Sequence, residues 1–307
     1  MPADRRPGMD HPHYQWSPIV NRGKLRWPDG ARVALCVIVN LEHMEWTEPE
    51  GTFTTLLAGG MGSRGYPDFA RTSHREYGHR VGIFRVLDTL EKHGIKATVA
   101  MDAMTAENYP YLVDHCLKRG CEIIGHGISV SRMITGNMTE PEERHYIHSS
   151  MDSLAKATGQ APTGWLGPEY GESARTPQLL SEAGIRYVCD WVNDEQPYRL
   201  ESPHGDLFAL PIMLELDDVV SLWQRRVTVG RYRDMLTEGF DTLYEDGPQN
   251  GRLMTLNLHP WLIGQPFRIG YLDDALAHMT RREGVWAATG SEIVDWYRSN
   301  PPQANQT

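Results

Sequence analysis

Apolar and polar residues follow two periods along this chain, and their order predicts strands alternating with helices. After the turn Trp27-Pro28-Asp29-Gly30, the run ARVALCVIVN from Ala31 to Asn40 is apolar on both faces, as in a strand covered on both sides. A glycine-rich stretch from Met44 to Tyr77 shows little period and reads as a functional loop or lid. From Gly78 to His93, Val81, Phe84, Val86, Leu87 and Leu90 recur at helical spacing, and His93-Gly94 closes the helix. A strand at Lys96 to Asp102 and a helix at Ala106 to Arg119 lead into CEIIGHGISV, Cys121 to Val130, an apolar run holding a histidine between two glycines. Thr139 and Glu142 form a capping-box pattern that opens a helix running to Thr158.

The pattern then repeats. A short strand and glycine-rich loop begin at Gly164, a helix covers Arg175 to Ala183, and a strand covers Ile185 to Asp190 ahead of the polar loop WVNDEQPY. Leu207 to Leu216 is extended and Tyr232 to Tyr244 helical; Arg252 to Leu258 is a strand ending in His259-Pro260. A helix from Tyr271 to Arg282, a strand at Val285 to Ala288 and a helix capped by Thr289 and Glu292 close the chain. Such alternation predicts an α/β fold with a parallel sheet of about seven strands. Closure as a distorted barrel is favoured over an open sheet. Glu42, His126, Asp190 and His259 follow strands spread along the chain and would meet on one barrel face. Residues 1–30 read as an N-terminal arm over the domain surface or a neighbouring subunit, 31–300 as one barrel domain, and 301–307 as a tail.

Composition narrows the partners. The formal net charge of −10 argues against nucleic acid or an anionic membrane and leaves a small-molecule substrate. Four cysteines without paired spacing, no apolar leader and no membrane-length run lead to the expectation of a soluble, cytoplasmic protein with reduced thiols. No nucleotide-binding glycine motif or serine-hydrolase elbow follows the first strand.

WPDGARVALCVIVNLE, REYGHRVG from Arg75, EIIGHG, GQAPTGWLGPEYGESARTPQLL, DWVNDEQPY from Asp190 and LNLHPWLIGQPFR from Leu256, in that order, resemble the polysaccharide deacetylase (NodB-homology) superfamily. They are most similar to its metal-independent allantoinase and cyclic-amide hydrolase branch. The resemblance implies catalytic roles for Glu42, His126 and His259, with His259 assisting the leaving group. The metal-dependent members carry two aspartates after the first strand and a second histidine four residues beyond the first. Here Asn40, Glu42 and Val130 stand in those places. Asn40 cannot serve as a general base, because an amide accepts no proton at neutral pH. Glu42 and His126 are the two candidate metal ligands left, one short of the usual three for catalytic zinc, with His43, Glu45 or Glu76 as candidate thirds. The expectation is therefore no cofactor or one divalent ion.

Candidate substrate-binding residues are Glu76, Glu169, Asp190, Asn193 and Asp194, with Trp165 and Trp261 as stacking surfaces. Core packing is the ordinary alternative for the tryptophans, and a solvated turn for the loop carboxylates. The functional expectation is hydrolysis of a non-peptide C–N bond in a small cyclic amide, ureide or imide. The alternatives are an N-acetyl amino-sugar deacetylase and a barrel that binds without catalysis. The resemblance also implies a homo-oligomer.

Overall fold

The computed structural model describes residues 11–47 and 68–302. At its centre lies β1 (Val33–Leu41), all nine residues buried. Its odd positions Val33, Leu35, Val37, Val39 and Leu41 pack outward under helices α2 (Ile83–Lys92), α7 (Val229–Asp246) and α8 (Ile269–Thr280). The even positions Ala34, Cys36 and Ile38 face inward with Trp27, Tyr187, Leu253 and Ile293. The two-residue side-chain period thus separates an outer helix-packed layer from a barrel interior.

Of eight parallel strands, seven follow the order β7 (Leu207–Ala209), β5 (Tyr187–Val188), β4 (Gly164–Trp165), β3 (Glu122–Gly125), β2 (Thr98–Met101), β1 and β8 (Arg252–Leu258). The β1 and β8 register runs from Val33↔Arg252 to Val39↔Leu258. Strand β9 (Val285–Ala287) pairs with the first three residues of β1, and β2 with the last four. The outermost strand, β6 (Tyr198–Leu200), is antiparallel to β7. Between the ends of the sheet, the Leu253 amide donates to the Glu195 carbonyl at 2.8 Å, and the Gln196 side chain donates to Asn250 and Gly251. This is the distorted barrel that the alternation predicts, with a loop rather than a strand bridging its gap.

Three local differences from the expected elements have physical causes. Of the 44–77 loop, residues 48–67 lie outside the described residues, but Phe69–Tyr77 is a helix, α1, capped by Asp68. Its buried side chains are Thr72 and Arg75, so it has no apolar stripe for a periodicity argument to find. The helix expected at 106–119 is two, α3 (Ala103–Asn108) and α4 (Pro110–Lys118), because Pro110 starts a new first turn. Strand β3 ends at Gly125, which places His126 directly after it. Strand β6 lies where the sequence predicts loop; its three residues sit at an edge, with Leu200 alone buried. Nor is residue 30 a boundary in the packing, since Leu25 and Trp27 are buried in the barrel interior. All four cysteines are free and buried. Among the described residues no helix is long and apolar enough to cross a membrane.

Helix α1 runs through a wide turn, Gly78–Gly82, into α2, and this turn is pressed against the segment after β8. A Cβ on Gly82 would stand 2.0 Å from the Pro260 carbonyl oxygen, and one on Gly78 3.0 Å from the Trp261 amide nitrogen. Backbone cannot yield as a flexible side chain can. Gly82→Ala is expected to lower unfolding free energy by about 1–3 kcal/mol, measured by urea denaturation. A change under about 0.3 kcal/mol would show that this contact is not tight.

Candidate active site

Polar residues after β1, β3, β4 and β8, with α1, surround a cavity of about 310 Å³ at the C-terminal end of the sheet. Glu42 follows β1 and is 6% exposed. Its Oε2 accepts from Arg75 Nη1 at 2.8 Å, and its Oε1 lies 3.4 Å from His126 Nε2 and 3.8 Å from His259 Nε2. Burial alone would raise this carboxyl, but His259, the His126 hydrogen bond and Arg75 outweigh it and hold Glu42 well below the usual carboxylate range. Glu42 is a buried anion among three basic groups.

His126 is placed by its two glycines. A Cβ at Gly125 would meet the Trp165 ring at 2.6 Å, and Gly127, at φ +68°, leaves room for the Tyr146 hydroxyl. The Nδ1 of His126 donates to the Leu166 carbonyl at 2.5 Å, which turns Nε2 toward Glu42. Burial lowers the pKa of this imidazole, but its hydrogen bond to Glu42 and the carboxylate charge give a net rise.

His259 is oriented by a residue absent from the sequence reading. The Asp218 carboxylate, fully buried, accepts from the His259 backbone N–H at 2.9 Å and from Nδ1 at 2.7 Å. Burial opposes the charged ring, yet Asp218 and Glu42 raise its pKa to about 9. His259 is thus cationic at neutral pH with Nε2 directed at the cavity. Next to it, Asp217 accepts from Tyr170 Oη at 2.6 Å and Asn257 Nδ2 at 2.8 Å.

The GPEYGE loop carries two consecutive non-glycine residues in the left-handed region, Glu169 at φ 52° and Tyr170 at φ 58°. This turn brings both into the cavity wall. Its anchor is Asp190, whose Oδ1 accepts from the Gly167 amide at 2.7 Å. Burial raises both Asp190 and its neighbour Glu172; Asp190 pushes Glu172 up further, while the Gly167 amide and the hydrogen bond to Glu172 draw Asp190 down.

Glu42, His126, His259 and Glu169 therefore meet at the cavity, and Asp190 supports it from behind. The other candidates lie elsewhere. Trp165 is fully buried against Gly125, and Trp261 lies under the Arg75 guanidinium, 4.3 Å from its ring centre. Glu76 accepts from Trp46. Asn193 bonds Tyr14 and Tyr198, and Asp194 takes the guanidinium of Arg22, so both hold the N-terminal arm. Missing from the sequence reading were Arg75, Tyr170, Asp217, Asp218 and Asn257. Arg75 opens one of the quoted motifs, and its cationic side chain was the available signal.

The residues do not fit a resident metal at Glu42 and His126. The Arg75 guanidinium already neutralises Glu42, Val130 offers no donor, and Glu45 is spent on Arg132 and Ser129. Among the described residues, Asp217, Asp218 and His259 place ligand atoms within 4.8 Å of one another. Those atoms are filled by the hydrogen bonds above and by the amides of Val219 and Val220 on Asp217.

A family model described as "Polysaccharide deacetylase" matches residues 76–188, which include His126. The chain is 28% identical to a "Putative polysaccharide deacetylase" of Schizosaccharomyces pombe, over 91% of this chain and 94% of that protein. It is 23% identical to a "Peptidoglycan deacetylase" of Helicobacter pylori, over 82% and 96%. Among solved structures, Puue allantoinase superposes with a TM-score of 0.82 at 26% identity, covering 90% of this chain and 94% of that one. Residues 76–188 carry the polysaccharide deacetylase match, and with six motifs in order, a matching barrel and likeness along most of its length the chain resembles that superfamily; it is a hydrolase of C–N bonds other than peptide bonds.

Proposed function

We propose that this chain hydrolyses a small secondary amide by acid–base catalysis, and that its substrate is an N-acetylated amino sugar or a fragment bearing one. The observation that carries the amide chemistry is Glu42 enclosed by Arg75, His126 and His259, with His259 held on Asp218. The names of both curated relatives favour the acetamide over the cyclic amide that leads the sequence reading. A cyclic amide or ureide is the second reading. It is favoured by the guanidinium bound to Glu42 and by the likeness to an allantoinase.

Amide hydrolysis needs an activated water, a stabilised oxyanion and a protonated leaving nitrogen. His259, cationic below about pH 9, donates from Nε2 to the departing nitrogen. Glu42 faces His126 and His259 with the same oxygen, and a water between them can pass its proton to that carboxylate. At rest Glu42 is a weak base because the His259 charge holds its pKa down. As His259 gives up its proton, that influence fades and Glu42 becomes more basic, so the two transfers assist one another. Arg75 supplies positive charge for the oxyanion, beside the His126 imidazole. No step passes through a metal.

The test is turnover of chito-oligomers, peptidoglycan fragments and ring ureides, followed by acetate release and by ring opening. Acetate from the sugars is the expected result; ring opening alone would move the assignment to the cyclic reading. If none is turned over at millimolar concentration, the hydrolase reading of this site fails. Turnover is expected to change by less than about twofold after EDTA treatment and desalting. A tenfold loss restored by one divalent ion would overturn the metal-free reading.

A further inference from the structure

We infer that Asn40 reads an N–H on the substrate, making the site selective for amides that keep a hydrogen on nitrogen. Asn40 ends β1 beside Glu42, is 2% exposed and lines the cavity. Its Nδ2 donates to Asn257 Oδ1 at 2.7 Å and to the Leu258 carbonyl at 3.1 Å. Its Oδ1 is buried and without a partner. A buried amide oxygen left unmatched is uncommon, because it gives up hydration for nothing.

The orientation of this amide is fixed twice over. The Leu258 carbonyl can only accept, so Nδ2 must face it. Independently, the Asp217 carboxylate accepts from Asn257 Nδ2 and thereby sets Asn257 Oδ1 toward Asn40. A relay from Asp217 through Asn257 to Asn40 ends in the unpartnered Oδ1 of a residue that lines the cavity. The amide cannot rotate to offer a donor instead without setting its oxygen against two acceptors.

Groups that supply an N–H at this point are secondary amides, ureides and imides. Esters and fully substituted amides present only lone pairs or carbon there. The same cavity is lined by the basic groups Arg75, His126 and His259, which suit the carbonyl oxygen of the same group. The wall thus matches both ends of an H–N–C=O unit. This inference rests on the amide-hydrolase reading for the identity of the ligand, but it predicts binding selectivity that is measured without turnover.

The experiment is calorimetric titration of the full-length protein with two pairs of probes that differ by replacement of N–H with oxygen. One pair is methyl N-acetylglucosaminide and its 2-O-acetyl counterpart; the other is 2-piperidone and δ-valerolactone. In at least one pair the N–H member is expected to bind about 10- to 100-fold more tightly to the unaltered protein. Asn40→Leu, shown by circular dichroism to be folded, is expected to reduce that preference to within threefold. The comparison on the unaltered protein stands even if the variant does not fold. Equal binding within both pairs, a preference that survives in folded Asn40→Leu, or no binding of any probe would each overturn the inference. N–H-selective binding that depends on Asn40, with no hydrolysis of any amide, would uphold it while removing the hydrolase reading.

Discussion

Glu42→Gln is expected to lower kcat/KM by about 10³-fold, within the range for loss of a group that moves a proton in the transition state. The amide is nearly the same size, so the cavity keeps its shape, but it accepts no proton from water. The substitution also leaves the Arg75 guanidinium buried at 5% exposure with its nearest carboxylate gone. Removing one partner of a buried ion pair typically costs about 3–5 kcal/mol of stability. Both losses have to be measured, since partial unfolding alone would mimic a catalytic defect. Rates referred to the folded fraction, determined by denaturant titration, separate them. Glu42 also raises the pKa of His259 and His126, so in the variant these rings should lose their protons at lower pH than in the parent. Full turnover by folded Glu42→Gln would remove this carboxylate from the chemistry.

The residues legible in advance share one property: each lies next to a feature with a strong local signature. Glu42 follows a nine-residue apolar strand, His126 is bracketed by glycines, and His259 precedes a proline at the end of another buried strand. The parallel direction of the strands was readable for the same reason, because buried parallel strands are apolar runs whose ends are marked by polar residues. What periodicity could not supply was the set of partners that give those residues their properties. Arg75 sits on a helix without an apolar stripe, and Asp217 and Asp218 open a short irregular turn. Their roles depend on tertiary contacts 33 and 41 residues away in sequence, to Glu42 and His259 respectively.

The misplaced candidates make the same point from the other side. Asn193 and Asp194 look like a polar loop at a strand end, which is where barrel chemistry gathers. The N-terminal arm takes them instead, Arg22 on Asp194 and Tyr14 on Asn193, and tryptophan 191 packs against His13 and Tyr14. Sequence alone could not tell which loops are covered, because the covering segment lies about 170 residues upstream. The roles of Glu169 and Tyr170 depend on left-handed backbone at two non-glycine positions, which residue preferences disfavour and only the surrounding packing imposes.

Asp218→Asn should produce a defect that grows with pH. In the parent, the His259 pKa is raised to about 9, by Asp218 before Glu42. A group raised in this way is charged below its pKa and loses the proton as pH climbs through it. The acid form that protonates the leaving nitrogen is therefore expected to sustain turnover up to about pH 9 and fail above. An asparagine retains one acceptor for Nδ1 but not the negative charge, so the pKa falls toward the ordinary imidazole value or below it, since the ring is buried. At pH 8 an imidazole of ordinary pKa is only about 3% protonated, which alone implies a loss on the order of 30-fold. Poorer orientation of the ring adds to this at every pH, because Asp218 also accepts the His259 backbone N–H. The measurement is kcat/KM from pH 5 to 10 for both proteins. The alkaline limb should move to lower pH in the variant, and the gap between the curves should narrow below pH 6. A uniform drop with the limb unmoved would show that Asp218 only holds the loop, and would leave the leaving-group proton to another donor.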